Sequence, residues 1–323
     1  MDKIFHVYTS NGLDRYAELE LPASDHQLLD LMERLRLEPG KLPYLEILNF
    51  REEYNYLEQC IQELPDIFQL NALAKKLSEL SRAEDMAAFE GLVGMEAKTG
   101  ALPVSRLIDF AHSTNCCHVA EDVDTDYKLG RFLAENDFIP ETEELSDAAF
   151  ELLNFAEIGR KHRETEGSVF TSFGYVEQHS DLVEAYKTLD LTAKMPDHAI
   201  ILELPFTFPL DFEEDAGPQP PVRFGLPACA GELDGLVQTM MVSSRKELVY
   251  RCADCRIPAL MEMISDAGEG IDHLNHLAQC LTDMDPKAMT AYKALLEAVD
   301  CKDHQPVQMM EHKPSQGGME MSG

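Results

Sequence analysis

The chain has 323 residues, with 59 acidic side chains against 27 basic ones and a formal net charge of -32. A hydrophobic content of 45% with 15 Phe excludes a disordered acidic tail, because such chains lack the apolar fraction that builds a core. The charge also argues against direct binding to nucleic acid, and the one local basic cluster, Arg160-Lys161-His162-Arg163, runs straight into Glu164 and Glu166.

In chain order, Ile4 to Tyr8, Ala17 to Leu21 and Tyr44 to Leu48 alternate or run apolar and are predicted strands. After Pro22, Ser24 is placed to cap a helix carrying Leu28, Leu31, Met32 and Leu35 at helical spacing. Leu70, Leu73, Leu77 and Leu80 form a second apolar helical face, and Ala88, Leu92 and Met95 a third. Val104 to Ala111, Leu129 to Asn136 and Ser146 to Ile158 are the next predicted helices. Val169 to Val176 follows as a hairpin turning near Ser172 to Gly174. Beyond Pro196, Ile200 to Leu204 and Leu248 to Tyr250 are predicted strands, and Gly217-Pro218-Gln219-Pro220-Pro221 a rigid loop. The segment from about Lys302 to Gly323 has no period and is expected to be disordered. Met1 to His6 does not resemble a secretion leader, and no run approaches the ~18 apolar residues of a membrane span. The eight scattered cysteines fit a reducing, cytoplasmic compartment.

An internal repeat runs through these elements at an offset of about 205 residues. Leu19, Leu21-Pro22-Ala23, Leu28 and Leu31 are echoed by Phe224, Leu226-Pro227-Ala228, Leu233 and Leu236. Leu70-Asn71-Ala72-Leu73-Ala74 and Leu77 match Leu274-Asn275-His276-Leu277-Ala278 and Leu281. Phe89, Leu92 and Val93 then match Tyr292, Leu295 and Leu296. The expected architecture is a multi-domain α+β protein with a duplicated N-terminal module, each copy a small antiparallel sheet packed with helices. The expected division is a first α+β module at 1–99, an acidic helical and hairpin domain at 100–195, a second copy of the module at 196–301, and a tail at 302–323.

Catalytic chemistry finds little footing. Gly91 and Gly94 are followed by no Lys-Ser or Lys-Thr, so no phosphate-cradling loop is present, and there is neither a nucleophile elbow nor a paired-histidine metal helix. Cys252-Ala253-Asp254-Cys255 is a single CxxC. Cys229 and Cys280 do not supply a second, so buried apolar cysteine is favoured over zinc. Cys116-Cys117-His118 places a thiol near a base, but adjacent residues point apart and nothing forces a dyad. Asp122-Val123-Asp124-Thr125-Asp126 opens like a calcium loop, yet Tyr127 and Leu133 stand where the glycine and the closing glutamate would be. No catalytic residue, metal or cofactor is assigned.

What remains is the acidity itself. The candidate partner-binding carboxylates are Asp122, Asp124, Asp126, Glu135, Asp137, Glu141, Glu143, Glu144, Asp147 and Glu151, with a second cluster at Asp211, Glu213, Glu214 and Asp215. Any single acidic run reads as a solvated helix face, but a two-to-one excess across separate modules does not. Duplex DNA carries one charge per roughly 1.7 Å, so about 32 charges correspond to roughly 54 Å of duplex. A compact chain of this length spans about 50 Å by size scaling. The expectation is a surface that imitates the phosphate array and occupies the basic DNA channel of another protein.

Three stretches, namely Leu21-Pro22-Ala23 with its helix, Ile47-Leu48-Asn49-Phe50, and Leu70-Asn71-Ala72-Leu73-Ala74 with Leu77, resemble the ArdA antirestriction proteins of mobile elements. Leu129-Gly130-Arg131-Phe132-Leu133-Ala134-Glu135-Asn136 is similar to family members as well. The resemblance implies an elongated acidic α+β protein, usually a homodimer, that mimics bent DNA and inhibits type I restriction–modification enzymes. This chain is roughly twice the usual length for that family, which leaves open whether its second module replaces part of a partner subunit. Inhibition of another nucleic-acid enzyme, such as a CRISPR nuclease, is the nearest alternative. An acidic interaction scaffold of a mobile element is a second, and an enzyme ranks last.

Overall fold

The computed structural model describes residues 2–38, 40–61, 65–140, 146–205, 221–266 and 270–303. The chain forms two units, residues 1–195 and 196–323. The architecture is α+β, with three small antiparallel sheets of three strands each among the described residues.

The first unit opens with β1 (Phe5–Ser10), β2 (Tyr16–Leu21), α1 (Asp25–Arg34) and β3 (Tyr44–Phe50). β1 is central, giving the order β2-β1-β3, and the β1–β3 register shifts by a bulge at His6/Val7. Alternation decides the faces. Phe5, Val7 and Thr9 point inward, while His6, Tyr8 and Ser10 occupy the other side of the pleat. Ser24 caps α1 with a reciprocal capping box: its hydroxyl accepts from the Gln27 amide at 3.2 Å, and the Gln27 side chain accepts from the Ser24 amide at 2.9 Å. The helix ends on Arg36 in the left-handed region (φ 51°), with the Leu37 amide donating back to the Met32 carbonyl. Leu28, Leu31 and Leu35 go into the core, each worth about 2 kcal/mol of transfer free energy.

A 3₁₀ turn at Glu52–Gln59 leads to α2 (Ile67–Leu77), α3 (Ala83–Glu96) and α4 (Val104–Ala111). One core unites the sheet, α1 to α4 and the later residues Leu182, Tyr186 and Leu189, so the packing does not stop at residue 99. The remainder of the unit is β4 (Cys117–Glu121), α5 (Asp126–Glu135), α6 (Asp147–Phe150), α7 (Phe155–Glu166), β5 (Val169–Phe170) and β6 (Gly174–Gln178). Its strand order is β4-β6-β5. The expected single helix over 146–158 is corrected to two. The Asn154 side chain accepts from the Glu157 amide at 3.3 Å and starts a new helix, which breaks the run.

The second unit runs β7 (Ile200–Leu204), β8 (Val222–Leu226), α8 (Ala230–Thr239), β9 (Arg251–Cys255), α9 (Met261–Asp266), α10 (Ile271–Asp283) and α11 (Pro286–Asp303). The expected strand at 248–250 is also corrected. The strand lies at 251–255, because the pairing that continues the sheet is Ile200 with Cys255 and Glu203 with Arg251. The proline loop up to Pro220 and the tail from residue 304 lie outside the described residues.

Residues matched in sequence stand in corresponding places in the two units. The second sheet has the order β8-β7-β9, with the central strand first in sequence and a bulge at Ile201/Leu202. Leu21-Pro22 and Leu226-Pro227 are both cis. Met241 is left-handed (φ 54°) at the end of α8, and the Val242 amide closes back on the Val237 carbonyl, as Arg36 and Leu37 do for α1. Asn71 on α2 accepts from the Ala23 amide at 2.6 Å and donates to its carbonyl at 3.0 Å. Asn275 on α10 does the same to Ala228 at 2.7 and 3.0 Å. No helix among the described residues is long and apolar enough to cross a membrane.

Candidate functional site

Most of the described candidate carboxylates lie in and beside α5, which packs against α7. These helices touch backbone to backbone. A Cβ on Gly130 would sit 1.9 Å from the Phe155 carbonyl oxygen, and one on Gly159 would sit 1.9 Å from that of Asp126. Only glycine fits at either position, which gives the Leu-Gly-Arg-Phe-Leu stretch a steric reason. Thr125 caps α5 by accepting from the Lys128 amide at 3.3 Å. Leu129 and Leu133 go down into a small core with Val123 and Tyr175.

The acids on this frame divide into two kinds. Asp126 receives two hydrogen bonds from Arg163 of α7, at 2.8 and 3.1 Å, and is half-buried. The Arg163 hydrogen bonds hold its carboxyl below the usual range, outweighing the upward push of burial. Asp126 therefore bolts two helices together and is not a free partner-binding group. Asp124 pairs with Lys128 at 2.9 Å and Glu135 with Arg131 at 2.7 Å, both in i,i+4 geometry on the helix surface. Glu151 reaches Arg131 at 3.8 Å. Asp122 and Asp137 flank α5 in left-handed conformation (φ 59° and 61°), are exposed, and make no ion pair among the described residues. Glu141, Glu143, Glu144, Asp211, Glu213, Glu214 and Asp215 lie outside the described residues, as does the side chain of Asp147.

The calcium-like run does not converge, because Asp124 and Asp126 face different cations of the chain itself. Among the described residues, no group of three His, Cys, Asp or Glu side chains is arranged to hold a metal ion. Burial pushes the Cys117, Cys252 and Cys255 thiols up to about 12, so they stay protonated and unreactive at neutral pH. The His118 ring stacks on His179, with centroids 4.1 Å apart.

One constellation escaped the sequence. Ser168 donates to the Tyr175 hydroxyl at 2.7 Å, Tyr175 donates to Glu177 at 2.7 Å, and His162 lies 2.8 Å from the same carboxylate oxygen. It has the residue types of a nucleophilic relay in the wrong order: the serine is buried and tyrosine and glutamate separate it from the histidine. Burial, the largest influence, raises the Tyr175 phenol well above its ordinary value. The chain of bonds ties α7 to the β5–β6 hairpin. Its partners lie on α7, on β6 and in the turn between α7 and β5, and they leave no signal in a linear reading.

The second acidic feature lies on the outer face of the first sheet. Across the strands, Tyr8 is flanked by Glu18 on β2 and Glu46 on β3, and Ser10 is flanked by Tyr16 and Tyr44. In the second sheet, Glu203 is flanked by Arg223 and Arg251. Glu203 is 5% exposed and accepts from Arg223 at 2.9 Å and from Arg251 at 2.9 Å. Burial alone would raise its carboxyl, but the two guanidinium groups outweigh that and hold it below the usual range. No protein-family model matches the chain, and no curated protein matches it.

Proposed function

We propose that the chain is a non-enzymatic inhibitor that presents carboxylates to the basic DNA channel of a defence enzyme, with a type I restriction–modification complex as the target class. The supporting observation is a net charge of -32 carried on a folded α+β frame. The frame consumes many of its own cations. Arg51, Arg82, Arg106, Arg131, Arg163 and Arg245 each sit on a carboxylate of the same unit, which leaves the acidic surplus to solvent. A surface with that surplus gains from a basic channel what DNA gains, the release of condensed counterions. Asp126 and Glu203 are excluded from the working set because each is withdrawn from solvent and matched at close range by arginines of the chain itself.

The test is competition between this protein and fluorescent duplex DNA for a purified type I methyltransferase, read by anisotropy at several salt concentrations. The expected outcome is mutual exclusion, with affinity for the enzyme falling about a thousandfold between 50 and 200 mM salt if roughly six contacts form. Ternary complexes with DNA, or binding indifferent to salt, would overturn the reading.

A further inference from the structure

We propose that the outer face of the first sheet is a docking site for arginine side chains of a partner protein. The assignment needs only a basic protein partner and stands or falls independently of the target class named above.

The face is built as two rows across three strands. Glu18, Tyr8 and Glu46 form one, and Tyr16, Ser10 and Tyr44 the next. Tyr16 is 71% exposed and Tyr44 64% exposed, and the Tyr8 and Tyr16 rings stack with centroids 6.0 Å apart. A hollow of about 570 Å³ opens at the β3 side, walled by Tyr8, Tyr44, Glu46 and Glu58 over an apolar floor that includes Phe50 and Ile61. Flat aromatic faces next to carboxylates suit one common side chain above others. A guanidinium is planar, weakly hydrated and forked, so it stacks on a ring while donating to an adjacent carboxylate. Lysine, a compact and strongly hydrated ammonium, satisfies the charge and gains much less from the rings.

The second unit displays the carboxylate half of this chemistry on itself. At the places of Glu18 and Glu46 it carries Arg223 and Arg251, which close over the central Glu203. The first sheet has the same frame and leaves its acids open. Among the described residues, the ion-pair partner of these carboxylates is His6, at 3.1 Å from Glu18. Guanidinium groups from outside would therefore supply on the first sheet what the second sheet supplies internally.

The experiment uses the full chain and two synthetic peptides of equal length and charge, one of Gly-Arg repeats and one of Gly-Lys repeats, at 150 mM salt. The chain has no Trp, so tyrosine fluorescence reports on binding directly, with calorimetry as a second readout. The arginine peptide is expected to bind about fivefold tighter than the lysine peptide. Y16A/Y44A should bring the two within about twofold, and Y16F/Y44F should restore the preference, since the rings rather than the hydroxyls carry it. E18R/E46R, which installs the second sheet's own row, should abolish the preference while far-UV circular dichroism stays unchanged. E164Q/E166Q, which removes two exposed acids at the end of α7, should leave the preference intact. Equal affinities for the two peptides, or a preference that survives Y16A/Y44A or E18R/E46R, would overturn the proposal.

Discussion

The two sheets are built on one plan and carry opposite charge in the row that crosses the central strand at Tyr8 and at Glu203. In the second, a glutamate on the central strand lies under two arginines. In the first, a tyrosine on the central strand lies between two glutamates. Everything that fixes the plan sits elsewhere: the inward strand residues, the left-handed helix end and the asparagine clamp occur in both. The lesson is that core and caps determine the frame, whereas the outward half of each pleat is free to change sign. The net charge of the whole chain hides that difference.

The widest expected gap between the units concerns the asparagine clamp. In the first unit Asn71 and Ala23 are both buried, whereas Asn275 and Ala228 are part-exposed. N71A leaves a buried amide and carbonyl without partners and should cost about 2–4 kcal/mol, while N275A, where water can enter, should cost about 1–2 kcal/mol. Urea unfolding of the two variants checks this, and equal losses would mean that the clamps are equally dry.

The next gap concerns the sheet rows. R251A should destabilise the second unit by about 1–2 kcal/mol at pH 7, while E46Q on the first sheet should shift stability by less than about 0.5 kcal/mol. The pH dependence follows from the sign. The folded Glu203 carboxyl lies below its unfolded value, so its contribution is complete above the ordinary glutamate pKa of about 4.3 and fades as pH falls through the lower folded value. The difference between wild type and R251A should therefore close in acid, as read by thermal unfolding from pH 7 to pH 3. A constant difference would mean that the arginine acts through its stem and not its charge.

The smallest gap is expected at the helix ends, where the effect should be the same in both units. Arg36 and Met241 hold left-handed conformations that glycine adopts without strain. R36G and M241G should each stabilise by about 0.5–1 kcal/mol. Opposite signs in the two would separate the helix ends that otherwise match.

Much of the frame was legible in the sequence because its signals are local. Ser24 with Gln27 announces the start of α1, and the Leu-Asn-Ala-Leu-Ala block marks the helix that returns to the strand–helix turn. β9 was not legible. Arg-Cys-Ala-Asp-Cys reads as polar until Glu203 on the neighbouring strand supplies the partner for Arg251. The candidate carboxylates show the same limit. Asp124 with Lys128 follows from i,i+4 spacing, but Asp126 meets an arginine 37 positions away on another helix, and only the fold reveals that it is spoken for. The tyrosine and glutamate rows likewise exist only once three strands are laid side by side.

The contact between Gly130 and Gly159 carries a consequence for the acids on α5. Most helix pairs are separated by a layer of side chains that can re-pack, and that layer works as a cushion when something presses on the outer surface. Here carbonyl and Cα meet directly, so the distance between the two axes has no compressible element. The carboxylates on the outside of α5 ride on a stiff mount, which fixes their spacing. One added methyl group at either glycine would wedge the mount open and move every charge on it together.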